Sequence, residues 1–279
     1  MSFGVSQNLA AMGNLLRQDV VEMIYAAGDG HPGPCMSAAD MIAALYFKVL
    51  RLDPQNPDWE ERDRFVLSKG HACPVYYAAL SRRGYFPREE LSTLRMINSR
   101  LQGHPVAGKL PGIDATTGSL GNGVSIGLGM AMAARVLGKN YRVYVMTGDG
   151  ELSEGLIWEA ALAAAHLKAS NLTVIVDNNN YQSGGTIDQI SGVCPIGKKW
   201  EAFGWKIKEV DGHDPDSFSA ALADAARERD SPQALIARTV KGKGISFMLG
   251  DNSWHKRNFT ATEYRQAMDE LRAEAVKWQ

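Results

Sequence analysis

Cysteine is scarce in this sequence: three in 279 residues, Cys35, Cys73 and Cys194, far apart and in no CxxC pair. An odd, scattered set excludes a disulfide framework and a cysteine zinc site, and it fits a reducing cytosol. Neither sign of charge is in excess, since 30 Lys and Arg stand against 31 Asp and Glu. No basic stripe stands out, so nucleic acid and other polyanions are not expected as partners. No apolar run approaches the ~18 residues that span a bilayer. The first amphipathic stretch carries Arg17, Asp19 and Glu22, unlike a signal peptide. The expectation is a soluble, cytoplasmic chain that does not engage a membrane. Internal repeats and low-complexity tracts are also missing.

What is present is enough apolar material, 45% of the residues, for a substantial core. One domain over residues 1–279 is expected, with 256–279 as a C-terminal helical tail. Residues 7–27 and 37–50 have helical periodicity, with Ser37 as N-cap of the second, and they flank the loop GDGHPGP. RFVLSKGHA reads as a short buried strand running into the helix PVYYAALSRRG, where Pro74 suits a first turn. Residues 97–123 are glycine- and proline-rich and lack periodicity, and loops this long inside a domain are usually functional. A helix of small residues follows over 124–138, and a second loop, 178–195, carries YQSGG. The remainder alternates WKIKEV, FSAALADAARERD and ALIARTV as strand, helix and strand, then closes on a charged helix over 262–277. This alternation predicts an α/β fold, a mostly parallel sheet with helices on both faces.

One unit carries chemistry. YRVYVM (141–146) and LTVIVD (172–177) read as buried strands, with a helical run through Leu156, Glu159, Ala160, Ala163 and Leu167 between them. In such a unit both strands open at the same sheet edge, so Asp149 of GDG and Asn179 of the NNN run meet in one crevice. An isolated GDG is commonly just a turn; the asparagine at crossover distance makes the pair informative. Asp, Asn and a backbone carbonyl are hard oxygen ligands that suit magnesium, with phosphate oxygens completing the shell. A helix starting around Glu151 would offer its N-terminus to a diphosphate. Two rival phosphate motifs fail: GNGVSIG lacks the preceding strand and spacing of a dinucleotide fingerprint, and VKGKGIS lacks the order of a Walker loop.

GDG followed about thirty residues on by N resembles the thiamine diphosphate fingerprint, and its flanks are similar to transketolase. GHPGPCMSAADMIAALY, DRFVLSKGHACPVYYAAL, QGHPVAGKLPGIDATTGSLGNG and EVDGHD occur in transketolase order and cover most of residues 20–255. The resemblance implies a thiamine diphosphate-binding fold, with Asp149, Asn179 and the Tyr181 carbonyl on magnesium and Gly150 near the diphosphate. His31, His71, His104 and His255 would surround cofactor and sugar as hydrogen-bond donors and proton carriers, His71 and His255 also touching the cofactor. Gly118 and Leu120, in TGSLG, would lie against it. Imidazole suits such proton traffic because its ordinary pKa lies near neutrality. His166 and His213 read as structural. SWHKRNF departs from the family pattern, in which glycine commonly follows the histidine, so the loop at His255 is expected to differ. Glu154 and Glu159 match glutamates at the family's subunit contact.

The resemblance further implies ketol transfer from a ketose to an aldose, with no turnover by this chain alone: the glutamate that activates the cofactor belongs to a second, pyrimidine-binding domain that the sequence does not contain. A partner chain, a dimer of heterodimers and sugar phosphate substrates follow. The α subunit of a 2-oxo acid dehydrogenase also carries GDG and N, but the histidine loops favour transketolase. A non-catalytic paralogue is disfavoured because an idle site would tolerate loss of these residues.

Overall fold

A computed structural model describes residues 8–278. Helix α1 (Leu9–Ala27) begins where the Asn8 side chain accepts from the backbone N–H groups of Ala10 and Ala11, and ends at Gly28 with φ of 73°. Residue 7, the expected start, lies outside the described residues. Helix α2 runs Pro32–Ala44, with proline in its first turn, and continues as a π-helical turn, Leu45–Val49. This corrects the expected start at Ser37. That serine is buried inside α2 and donates to Asp177 at 2.6 Å, so it serves the sheet and not a helix end.

Strand β1 (Arg64–Leu67), helix α3 (Cys73–Arg82), helix α4 (Asn122–Val136), strand β2 (Val143–Gly148), helix α5 (Gly155–His166) and strand β3 (Leu172–Asn178) follow. The helix expected to start around Glu151 starts later, because the acidic turn first passes through a 3-10 segment, Gly150–Ser153. The segment expected to be all loop holds a small hairpin, β4 (Tyr181–Gln182) and β5 (Gly185–Thr186), and a short helix α6 (Ile187–Ile190). Then come α7 (Ile196–Ala202), β6 (Lys206–Asp211), α8 (Pro215–Ala225), β7 (Gln233–Arg238) and α9 (Ala261–Ala275).

The five long strands form a parallel sheet in the order β1-β2-β3-β7-β6. Both faces are covered, which explains why the central strands read as continuous apolar runs. Alternation still sorts their side chains: Tyr144, Met146 and Ile175 join one core with α1, α2, α3 and α8, and Val143, Val145 and Val174 join another with α4, α5 and α7. Trp200 and Trp205 fill the second core, with Trp205 Nε1 donating to the Ala161 carbonyl at 2.9 Å. Helix α9 docks on α1 through Ala267, Met268 and Leu271, and Asn14 Nδ2 donates to the Leu271 carbonyl at 3.0 Å. Among the described residues no helix is long and apolar enough to cross a membrane.

Candidate functional site

Four adjacent parallel strands end at one edge, and each carboxyl end delivers chemistry there. β1 leads into Lys69 and His71, β2 into Asp149, β3 into Asn179, and β7 into Thr239 and Lys241. The crevice beyond the carboxyl ends of such strands is where ligands bind in open α/β sheets.

The four histidines singled out from the sequence converge. Ring centroids lie 5.2 Å apart for His31 and His71, 6.5 Å for His31 and His104, 5.6 Å for His31 and His255, and 5.3 Å for His71 and His255. Lys256 in place of glycine therefore does not displace His255 from the group. Burial lowers the pKa of all four: His31 to about 4, with Arg95 and Lys256 adding repulsion, and His255 to about 3, with Lys241 beside it. His71 falls well below its ordinary value through burial and Lys69, and His104 falls through burial, Arg95 and Lys256. The folded values thus lie below the near-neutral one of a free imidazole. At neutral pH they are uncharged imidazoles, each with one N–H to give and one nitrogen to accept with. His31 Nδ1 is buried and has no protein partner, so it is free for a ligand's hydroxyl.

The acidic turn lies beside this cluster. Asp149 is 1% exposed, and its carboxylate accepts from Gly150 N–H at 2.8 Å and Asn180 N–H at 2.5 Å. Asn179 is 7% exposed; its Oδ1 accepts from Tyr181 N–H at 3.1 Å and its Nδ2 donates to Ser37 Oγ at 3.3 Å. Crossover distance in sequence thus becomes direct contact between the two loops, deeper than a surface crevice. Burial, then repulsion from Asp177, pushes Asp149 up to about 7. A cation beside the carboxylate would reverse that shift, so the donor set fits a bound divalent ion. Gly150 is required here, because a Cβ on it would lie 2.5 Å from Gln182 Cβ. At Gly118, φ is 141° and a Cβ would meet the His104 ring at 3.0 Å. Leu120 is half-buried in the same loop. Glu154 and Glu159 are exposed.

Sequence reasoning missed four supporting groups. Lys69 and Asp177 form an ion pair with side chains 1% and 0% exposed. Lys69 Nζ also donates to the Pro34 carbonyl at 2.9 Å, and Asp177 accepts from Ser37 and Thr239. Burial alone would raise Asp177, but Lys69 and the hydroxyl donors hold it below its ordinary value. Glu151 accepts from Gly121 N–H at 2.9 Å, from Gly148 N–H at 3.1 Å and from Ser68, tying the glycine loop to the acidic turn. Lys241, 1% exposed, donates to Asn252 Oδ1 at 2.6 Å and meets His255 Nδ1 at 3.0 Å, and burial lowers it to about 8. Its segment, VKGKG, is no Walker loop, yet its first lysine stands in the site. His213 is structural as expected, and informatively so. Its Nε2 accepts from Val240 N–H at 2.8 Å and its Nδ1 meets Asp40 at 2.8 Å, while Arg17 pairs with Asp40 at 2.5 Å. This chain of contacts holds the backbone just before Lys241.

Residues 6–277 match the family model described as transketolase, thiamine diphosphate binding domain. The chain is 40% identical over 269 residues to a 6-deoxy-6-sulfo-D-fructose transketolase subunit of a Clostridium species, covering 96% of this chain and 98% of that protein. It is 40% identical over 255 residues to an apulose-4-phosphate transketolase subunit of Phocaeicola vulgatus, covering 91% and 90%. Transketolase structures from Pichia stipitis and Leishmania mexicana superpose with TM-scores of 0.88 and 0.86 at 29% and 30% identity, over 98% and 97% of this chain. In both cases the chain spans 46% of the solved protein's length. With the fold, the convergent histidine loops and the coverage in agreement, the chain belongs to the transketolase family, as a subunit built on its thiamine diphosphate-binding domain.

Proposed function

We propose that this chain is half of a cytoplasmic ketol-transferring enzyme that binds thiamine diphosphate with magnesium and works with a pyrimidine-binding partner chain. The observation that carries the reading is the meeting of four uncharged histidines with the Asp149 and Asn179 loops at one sheet edge. Asp149, Asn179 Oδ1 and the Tyr181 carbonyl would hold the metal, and the backbone at Gly150 would approach the diphosphate. The bound cofactor supplies a nucleophilic carbon and an electron sink for cleaving and forming a carbon–carbon bond.

The chain's own residues supply position and proton transfer. His31, with a free buried Nδ1, can hold a sugar hydroxyl, and His104 beside Gly118 faces the same space. An uncharged imidazole can take a hydroxyl proton as bond cleavage makes it acidic and return it in the reverse step. Lys241 orients His255 through Nδ1, leaving Nε2 for the ligand. Leu120 would pack on the apolar side of the cofactor, and His71, half-buried, would contact it too. Residues 1–279 would act as one diphosphate-binding domain, with α9 its closing element.

Exposed apolar side chains support an assembled state. Leu156, Leu162 and Leu167 on or just after α5 are 39%, 62% and 40% exposed, and Val136 and Leu137 at the end of α4 are 85% and 65% exposed. Glu159 lies on the same helix. Covering such side chains favours association, and two copies of each chain about a two-fold axis would do so. The substrates would be sugar phosphates or related anionic sugars, in the pentose phosphate route or a specialised pathway. The decisive assay combines the purified chain with magnesium, thiamine diphosphate, a ketose phosphate and an aldose, with and without the candidate partner. Transfer only with both chains is expected; appreciable transfer by this chain alone would refute the split site.

A further inference from the structure

Three charged residues flank the histidine cluster, each beside a different ring. Asp29 stands two residues before His31, Lys256 directly follows His255, and the Arg95 guanidinium lies on the backbone at Gly103, next to His104. A Cβ at position 103 would fall 2.9 Å from the guanidinium carbon, so glycine there lets the fork lie flat against the loop. Arg95 itself has φ of 61°, and its N–H donates to the Leu101 carbonyl at 2.9 Å, which fixes the stem. Asp29 Oδ2 accepts from Arg95 Nη1 at 3.0 Å and lies 3.8 Å from Lys256 Nζ. One carboxylate therefore holds two cations and leaves a net positive charge. The side chains of Arg95, Lys256 and Asp29 are 26%, 55% and 43% exposed, so the group is a rim that an incoming ligand reaches, and not a core ion pair.

From this geometry we propose that Arg95 and Lys256, aligned by Asp29, recognise a tetrahedral oxyanion on the sugar substrate, a phosphate ester or a sulfonate. The inference rests on the reading of the histidine pocket as a sugar site, and it locates part of the anion recognition in this chain and not wholly in the partner. Arginine's planar fork matches two oxygens of such a group, and lysine adds a point charge. After burial, the same two cations depress the protonation of both His31 and His104, so their field reaches the rings assigned to the sugar. A field that disfavours a proton favours an anion. Asp29 keeps the cations converged when no ligand is bound and yields part of its hold when an oxyanion arrives.

The test begins with binding by the full chain, read from its histidine ring NMR signals and by calorimetry. Ribose 5-phosphate and a sulfonated hexose form separate arms, with unmodified ribose as the uncharged control. Saturable shifts at His31 and His104 with one or both anionic sugars, absent with ribose, are expected, and the tighter arm identifies the anion. Lys256→Gly and Arg95→Gln should each weaken that binding about tenfold or more, and Asp29→Asn should preserve or tighten it. Unchanged affinity in both cation variants, or equal binding of ribose, overturns the proposal. So does a loss of binding in Asp29→Asn, which would mark the bridge as a loop fastener. In the reconstituted complex, Lys256→Gly should raise KM for the anionic sugar by a larger factor than KM for an uncharged one; an equal effect on both sugars overturns it as well. A wild-type complex that transfers no ketol unit refutes the proposed function, whereas the binding arms still decide whether the rim selects anions.

Discussion

Replacing Lys69 by methionine tests the framework that holds the site together. The Lys69–Asp177 pair is almost fully enclosed, and its hydrogen bonds join four segments: the end of β1, the first turns of α2 through Pro34 and Ser37, the end of β3, and Thr239 after β7. Those segments carry His71, His31, Asn179 and Lys241. Methionine keeps most of the volume and removes the charge, so Asp177 is left buried with only two hydroxyl donors. Breaking one side of a buried pair costs about 3–5 kcal/mol, a large share of the roughly 5–15 kcal/mol that holds a typical protein folded. Adding Asp177→Asn removes the stranded charge and should return much of the loss. The pH dependence has a definite sign. In the wild type Asp177 lies below its ordinary value, so its stabilisation is present above the unfolded carboxylate pKa of about 3.9 and is lost as pH falls through the folded value. Without Lys69, burial is opposed by the two hydroxyls and by Lys241 farther off, and the folded value is expected to rise above the unfolded one. The deficit relative to wild type is then full at neutral pH and narrows as Asp177 takes a proton. Urea unfolding followed by circular dichroism at pH 7.5 and 4.5 measures this. A single-variant loss under about 1 kcal/mol, well below the buried-pair range, or a double variant no more stable than the single, would refute the reasoning.

Other outcomes follow from the same site. Asp149→Ala or Asn179→Ala should abolish magnesium-dependent cofactor binding in the reconstituted complex, and calorimetry showing undiminished affinity would remove them from the metal shell. His104→Ala should lower turnover more than cofactor affinity, because its proposed contact is with the sugar; wild-type kcat with a ketose donor would contradict that role. His31 and His255 fold with pKa values of about 4 and 3 against 6.5 for the free side chain. Since a depressed imidazole stabilises the fold fully only above its unfolded pKa, the urea midpoint should drop as pH falls from about 6.5 toward 4, and His31→Gln with His255→Gln should flatten that drop. His213→Ala should leave the sheet intact but loosen Val240 and Lys241, detected as faster amide exchange at those positions together with reduced turnover; exchange confined to α8 would disprove the link.

The elements with a strong period were legible in the sequence. β2, α5 and β3 fall within a residue or two of their expected positions, and with them the meeting of Asp149 and Asn179. Less legible were boundaries set by tertiary contact. Ser37 has the chemistry of an N-cap, but its hydroxyl is used by Asp177, 140 residues away, and Pro32 starts the helix instead. The turn after β2 tightens into a 3-10 segment because Glu151 reaches back to Gly148 and across to Gly121 and Ser68. No local pattern announces such partners. The charged supports were invisible for a similar reason: a lysine in SKGHA or VKGKG reads as a solvated side chain until the fold encloses it. The histidine loops were legible through resemblance, but their electrostatic state was not. That state depends on burial and on Arg95, Lys241 and Lys256 arriving from elsewhere in the chain.

These charges are layered, and the layering bears on how a substrate must lie. At the floor, Asp177 is paired with Lys69, whereas the Asp149 carboxylate accepts from backbone N–H groups and has no ion pair among the described residues, which leaves its oxygens suited to a divalent cation. Above it the four imidazoles are uncharged, so they can exchange protons with hydroxyls without holding a permanent charge against the reacting carbons. The Arg95–Lys256 rim turns the outer part of the pocket positive. A sugar whose oxyanion lies at the opposite end from its carbonyl gains by placing the anion at the rim, and that places the carbonyl among the histidines. The reversed pose would leave the rim cations without the oxyanion and strand the carbonyl at the rim. The rim's charge therefore favours the orientation that ketol transfer requires.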